Sequence, residues 1–488
     1  MSDNNTAREP SFVDALIPVV SLVCMLAISV YLYGDGSSSG ANQIALILAS
    51  CITLIIGKKN GFEWREIEKA IKEGIGNTFG AILILLSVGM LIGSWIISGT
   101  VPAMIYYGLQ IINPNVFYFT ACILSAVAAI SIGSSWTVAG TIGIGLIGIA
   151  AGLGLEPEIT AGAIISGAYF GDKMSPLSDT TNLAPAVAGT DLFTHIQHMI
   201  WTTFPSIAIA LVLYLILGFT GEINDSAISL DAQLSLIEQN FDIGLYLLLP
   251  LVVVFYLAMK KYPAFPSLVI GALVGVFFAL IFQQDVIIKF ADADDVEGIF
   301  VVIKGIWTAL FDGFTADTGD TAMDELLTRG GMSSMLNTIW LVMCAIVFGS
   351  ILEKLGLLKK LVVGLIGMAK TTGSLILVTA LTCIGVNIMA ADQYIAIVLP
   401  GRMYRLEFKK RNLAAKNLSR ALEDTGTVTS VLIPWNTCGA FFSGTLGIAT
   451  LAYAPYCFFN LISPFVSVMY GYMNVKIAPI NPDEVMAE

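Results

Sequence analysis

The sequence predicts an all-α polytopic membrane protein. It is expected to contain two inverted-topology repeats of about seven helical segments each, with re-entrant or broken helices at the centre. Three observations lead there. The 488-residue chain is 56% hydrophobic and only 12% charged, with a mean hydropathy of +0.82, whereas soluble domains carry roughly 25% charged residues. Apolar runs near spanning length recur from one end to the other. Polar landmarks inside those runs repeat at a nearly constant spacing.

The runs, in order, are Ala15–Tyr33, Gln43–Gly57, Ala81–Ser98, Val116–Ile132, Ile200–Gly218, Leu245–Met259, Ser267–Phe282, Thr338–Ile351 and Leu375–Ile388. Several approach the roughly 20 residues that cross a bilayer as a helix. Met1–Pro10 is polar and lacks the basic stretch and small-residue cleavage site of a signal peptide, so the first run is expected to stay in the mature chain. The seven cysteines are scattered, mostly within apolar runs, and form no CxxC pair. They read as small apolar packing residues and not as disulfides or metal ligands.

Charge orients the segments. Lys and Arg concentrate at Lys58–Lys72, Lys260-Lys261, Lys354–Lys370 and Arg402–Arg420, separated by acid-rich loops at Gly34–Gly40, Gly154–Glu158, Gly221–Asp242 and Gln283–Arg329. Cytoplasmic loops carry the basic excess. Both termini and the basic clusters are therefore placed inside, in the inner membrane of a prokaryote. Only Lys289, Lys304 and Arg329 are left outside, with Lys173 in the membrane. The net charge of -12 gives no basic face for nucleic acid.

The spacing of landmarks divides the chain. Gly133 and Gly385 are 252 apart (385 − 133 = 252), and so are Asp172 and Asp424 (424 − 172 = 252). Asn182 and Asn436 match at 254 (436 − 182 = 254). Residues 1–220 are read as the first repeat, 221–242 as a polar linker and 243–488 as the second repeat. An extracytoplasmic acidic insertion spans 283–336, and its amphipathic stretch Gly298–Phe314 is expected to lie on the outer surface. Opposite directions for the first run of each half require an odd number of crossings per half.

Each half carries two polar breaks. The first half has Gly133-Ser134-Ser135-Trp136-Thr137 and Asp172–Asn182. The second has Gly385–Gln393 and Glu423–Thr437. Charge at membrane depth is costly and marks ion or substrate paths. Pro176 and the hydroxyl side chains break the helical pattern, freeing carbonyl oxygens of the kind sodium prefers. Asp172, Asp179 and Asp424 are the candidate ion- or proton-binding carboxylates. Ser134, Ser135, Thr137, Ser175, Ser178, Thr180, Thr181, Asn182, Asn387, Thr427, Thr429, Asn436 and Thr437 are the candidate neutral ligands for sodium or substrate. Lys173 is a candidate counter-ion. The alternatives are a self-neutralising Asp172–Lys173 pair, Asp424 as a helix cap on a loop, and Asp392 at a tip in water. His195 and His198 stand three residues apart without a third ligand nearby, which favours an interfacial structural role.

Ser166–Ala184, which reads SGAYFGDKMSPLSDTTNLA, resembles the signature of the NhaC-type sodium/proton antiporter family. Gly133–Gly145 and Ala421–Gly447 resemble it too, and the similarity runs over nearly the whole chain. The family belongs to a wider ion-transporter superfamily with sites at paired hairpin tips and helix breaks. The resemblance implies that Ser134, Ser135 and Thr137 form one tip and Asn387 its partner. Asp179–Asn182 and Pro434–Thr437 would be the two helix breaks. The second tip lacks a Ser-Asn-Thr run.

The expected activity is antiport of Na⁺ out against H⁺ in, with no cofactor beyond the transported ions. The alternative is a sodium- and proton-coupled exchanger of small organic acids of the malate/lactate type. The expected partners are Na⁺, H⁺, the lipid bilayer, a small carboxylate in the alternative case, and a second copy of the chain in a homodimer. An enzyme would need a nucleophile, metal or nucleotide motif, and none is present in the sequence.

Overall fold

The computed structural model describes residues 8–480 apart from 222–229, 293–295 and 368. The described residues are almost entirely helical, and their only extended pairings are two isolated bridges, Phe314–Arg329 and Leu413–Pro479. Nine helices among them are long and apolar enough to cross a membrane, or up to eleven if each of two sharply bent pairs counts as one span. The architecture is that of a multi-pass membrane protein. The count falls below fourteen because several segments are short or broken, as at Asp179–Ala188 and Thr437–Leu446.

The apolar runs become helices at Phe12–Tyr33, Ala41–Lys59, Trp64–Ile97, Phe117–Ile132, Leu192–Thr220, Ala264–Phe282, Leu336–Lys354 and Thr372–Ala390. Leu245–Met259 is the exception. It opens as a 3₁₀ turn and continues as an 11-residue helix, bent by 85° from Leu230–Asn240. That preceding helix falls inside the polar linker, where Tyr106 donates to Glu238 at 2.5 Å. Within the acidic insertion, Ile299–Phe311 is a 13-residue helix packed on Trp64–Ile97. Gly93 permits this contact, since a Cβ there would lie 2.0 Å from the Ala309 carbonyl oxygen.

Two of the basic loops hold the two ends of the described chain. Arg8 donates its backbone N–H to Asn60 O at 2.9 Å, and Lys59 pairs with Asp14 at 2.8 Å. Ala414 N–H bonds Ala478 O at 2.9 Å, and Arg420 donates to Lys476 O at 3.0 Å.

Several helix ends in the described residues recur at a spacing of 258. Gly385 lies inside the Thr372–Ala390 helix. The left-handed residue that ends this helix is Ala391 (φ 56°), and its first-half counterpart is Gly133 (φ 76°), a spacing of 391 − 133 = 258. The N-caps Ser134 and Asp392 share that spacing, as do the N-caps Ser178 and Asn436 and the left-handed C-caps Gly189 and Gly447. Asp172 and Asp424, 252 residues apart, do not share the 258-residue spacing of these caps. Caps are defined by backbone geometry, which Gly, Ala, Ser, Asp and Asn all satisfy, so residue types alone do not reveal this spacing.

Candidate functional site

Close helix packing builds the site. Pro157–Met174 lies hard against Phe117–Ile132 because Gly167 and Gly171, one turn apart, expose bare backbone. A Cβ on Gly167 would sit 2.0 Å from Cys122 O, and one on Gly171 would sit 2.3 Å from Ala126 O. Small residues four apart are the usual means of bringing helices together in a membrane. The contact sets Asp172 beside the turn that follows Phe117–Ile132. Gly133 makes that turn with its left-handed backbone, and a Cβ there would strike Leu177.

Asp172 is buried at 8% exposure. Its Oδ2 accepts the Ser135 N–H at 3.2 Å and the Ser135 hydroxyl at 2.7 Å. Ser134 caps the helix that starts at Ser135, accepting from Thr137 N at 3.2 Å and from the Thr137 hydroxyl at 3.0 Å. Across the break, the Thr181 hydroxyl donates to Asp172 O and Lys173 O, both at 3.1 Å, so carbonyls freed at the helix end find a partner. Ser178 caps Asp179–Ala188 and contacts the Thr180 hydroxyl at 3.2 Å. Asp179 opens that helix, where the dipole favours a negative charge.

A cavity of about 390 Å³ collects these groups. Asp172, Asp179 and Asp392 line it with Ser134, Ser135, Ser178, Thr180 and Thr437, and its lining contains no Lys, Arg or His. It meets a second cavity of about 560 Å³ at Asn77, Thr78, Asp392 and Tyr394, which continues to Glu73, Glu353 and Lys354 near the basic loops. A third cavity of about 340 Å³ lies on the far side of the Thr437–Leu446 helix, lined by Ser37, Ser38, Asn337, Ser443 and Thr450. Trp136 stacks on Phe441 of that helix with ring centres 4.0 Å apart.

Not every sequence candidate lines the acidic cavity. Ser175 donates to Ile130 O at 2.8 Å, and the Asn182 amide ties Pro176 O and Ser178 O at 3.0 and 2.6 Å. Both hold the break together. Asn387, Thr429 and Asn436 form a buried network in the second half. Asn387 donates to Gly426 O at 2.7 Å and to the Thr429 hydroxyl at 3.1 Å, and Asn436 donates to Asn387 Oδ1 at 3.2 Å. Thr427 is buried in the same π-helical turn, Glu423–Thr427.

Lys173 corrects one expectation. Consecutive helix residues point about 100° apart, so they do not face each other. Lys173 therefore turns away from Asp172 and ion-pairs with Asp424, with Ser463 at 3.3 Å; both charges are fully buried. Thr202 also donates to Asp424, at 3.1 Å. Asp424 is thus not a loop cap, and it is not among the residues that line the acidic cavity. Asp392 is half-buried and caps Gln393–Lys410, accepting from Ile395 N at 2.9 Å. His195 and His198 reach Ser419 and Asn417 at 2.8 and 3.2 Å, joining Leu192–Thr220 to Ala415–Leu422.

Four buried or cavity-lining polar residues are not among the sequence candidates. Asn77 and Thr78 line both cavities from within a long apolar helix, and their polarity there was the available signal. Gln393 follows Asp392 into the cavity wall. Glu423, beside Asp424, is fully buried, and neither carboxylate oxygen has a hydrogen-bond partner among the described residues. Among the described residues no group of three or more His, Cys, Asp or Glu stands close enough to hold a metal. A cation in this cavity would rest on one or two carboxylates and neutral oxygens.

The model of the Na⁺/H⁺ antiporter family matches residues 167–475. The chain is 38% identical to the Na⁺/H⁺ antiporter NhaC of Alkalihalophilus pseudofirmus over 89% of this chain and 91% of that one. It is 37% identical to the arginine/ornithine antiporter ArcD of Halobacterium salinarum, covering 99% and 96%. It is 34% identical to the malate-2H⁺/Na⁺-lactate antiporter of Bacillus subtilis, covering 91% and 92%. These relatives differ in cargo and share antiport. The chain is a secondary transporter, not an enzyme, and belongs to the NhaC-type Na⁺/H⁺ antiporter family.

Proposed function

We propose that the protein exchanges Na⁺ for H⁺ across a prokaryotic cell membrane. The observation that carries this reading is the charge of the central cavity: three aspartates and several hydroxyls line it, and no basic side chain does. Such a lining attracts a small hard cation and repels a carboxylate. Asp172 is the shared site. It binds either Na⁺ or a proton, so arrival of one expels the other and exchange is obligatory. Ser134, Ser135, Ser178, Thr180 and Thr437 supply neutral oxygen, and Asp179 and Asp392 draw cations in.

The basic loops face the cytoplasm on this reading, with both termini. The acidic cavity then opens inward through Glu73 and Glu353, and the far-side cavity opens outward. The Thr437–Leu446 helix and the Trp136–Phe441 stack separate them. The recurring caps 258 residues apart support two halves of opposite topology, the arrangement that suits alternating access.

A second reading, exchange of small organic solutes, draws on the size of the cavities, about 390 and 560 Å³, which exceeds what a bare ion needs. Counterflow in proteoliposomes separates the two. Sodium/proton exchange that needs no organic solute supports the first. Exchange that runs only with malate, lactate, arginine or ornithine present supports the second.

A further inference from the structure

We propose that the basic face carries a binding site for the phosphate headgroup of an anionic membrane lipid. A cavity of about 340 Å³ lies between the C-terminal end of Asp179–Ala188, the end of Gln393–Lys410 and the start of Ala415–Leu422. Arg405, Lys409 and Lys416 line it from two helices. Among the described residues its one acid, Asp191, caps Leu192–Thr220 and accepts from Thr194 N at 2.9 Å. Arg405 and Lys416 against that carboxylate leave an excess of positive charge in a concave wall. The Arg405 guanidinium lies over Gly189, where a Cβ would come within 2.5 Å of it.

The surroundings select a lipid over free phosphate. Phe408, Leu413 and Leu418 make the floor, and Phe193 and Leu406 stand exposed nearby at 67% and 65%. Further along Leu192–Thr220, Lys476 caps the Trp201 ring at 3.7 Å, a pairing suited to the headgroup level of a bilayer. Basic pockets between helices at such a level take anionic headgroups. The helix that begins at Asp179 in the acidic cavity ends at this one, with Ala188 and Gly189 in its wall. An occupied site therefore braces one arm of the ion-binding break.

The test uses the full-length protein, its R405Q/K416Q variant, and a K69Q/K72Q control whose lysines are exposed elsewhere. Each is titrated with phosphatidylglycerol or phosphatidylcholine and read by native mass spectrometry. The wild type and control should retain phosphatidylglycerol, and R405Q/K416Q should bind it about thirtyfold more weakly at about 1 kcal/mol per base. Millimolar inorganic phosphate should not displace it. Equal retention by R405Q/K416Q, equal loss in the control, or displacement by inorganic phosphate would each overturn the proposal. The binding readout does not rest on the antiport reading. If exchange is also measured in vesicles, phosphatidylglycerol should speed the wild type and not R405Q/K416Q.

Discussion

Lys173 forms its ion pair with Asp424, 251 residues away in sequence, and not with Asp172 beside it. That one contact joins the first helix break to the π-helical turn of the second half. It also leaves Asp172 without a fixed positive partner, hydrogen-bonded to Ser135 and facing the cavity. The two aspartates named together from the sequence thus stand in different places: one neutralises a buried lysine, the other lines the acidic cavity.

Removing half of the pair should cost more than removing both. Lys173→Met strands a fully buried carboxylate, and breaking a buried pair this way costs about 3–5 kcal/mol. The Lys173→Met/Asp424→Leu double variant should recover a large part of that loss, since the two sites are coupled. Thermal unfolding of the purified variants checks it. Strictly additive losses would mean the pair does not hold the halves together.

Ser135 donates twice to one oxygen of Asp172, once from its backbone and once from its hydroxyl. Ser135→Ala keeps the first and removes the second together with a neutral ligand. The apparent Na⁺ constant should rise about tenfold, for a lost interaction of about 1–2 kcal/mol, while the protein stays folded. A variant changed only in maximal rate would move the cation away from this turn.

Gly171 should tolerate no side chain, Ala included, without the two helices moving apart. Even a Cβ would meet Ala126 O at 2.3 Å and Ala129 Cβ at 2.6 Å. Gly171→Leu would wedge Pro157–Met174 off Phe117–Ile132 and displace Asp172, costing about 3 kcal/mol or more through overpacking. Loss of Na⁺ binding with reduced stability is the expected result, read by Na⁺-dependent thermal shift. Unchanged Na⁺ binding would show that the packing does not set the carboxylate.

Much of this was legible in the chain. Hydropathy marked the spans, because backbone groups in lipid leave few alternatives to helices. The first-half site was legible because it is local: Ser134, Ser135, Asp172, Ser178, Asp179 and Thr180 sit in two short polar breaks and meet in one cavity. What the sequence could not carry was direction around a helix and pairing across halves. Asp172 and Lys173 are neighbours in sequence and back to back in space. Asp424 found its partner across 251 residues. Asn77 and Thr78 stand within a long apolar helix, and only the fold brings two cavities together at them.

Ion choice follows from the oxygen lining. Li⁺ should compete with Na⁺ at the hydroxyls and carboxylate, and the larger K⁺ should do so poorly. Competition assays against a Na⁺ gradient read this directly. Exchange driven equally by K⁺ would point away from a compact cage at Asp172.

The most direct test is paired Na⁺ and H⁺ flux in proteoliposomes holding wild type, Asp172→Asn and Asp424→Asn, each confirmed folded. Asp172→Asn removes the charge that Na⁺ and H⁺ compete for, so coupled exchange should vanish in both directions. Asp424→Asn should keep measurable coupling, weakened only as far as its helices loosen. Full coupled exchange in Asp172→Asn would contradict the assignment of Asp172 as the shared site.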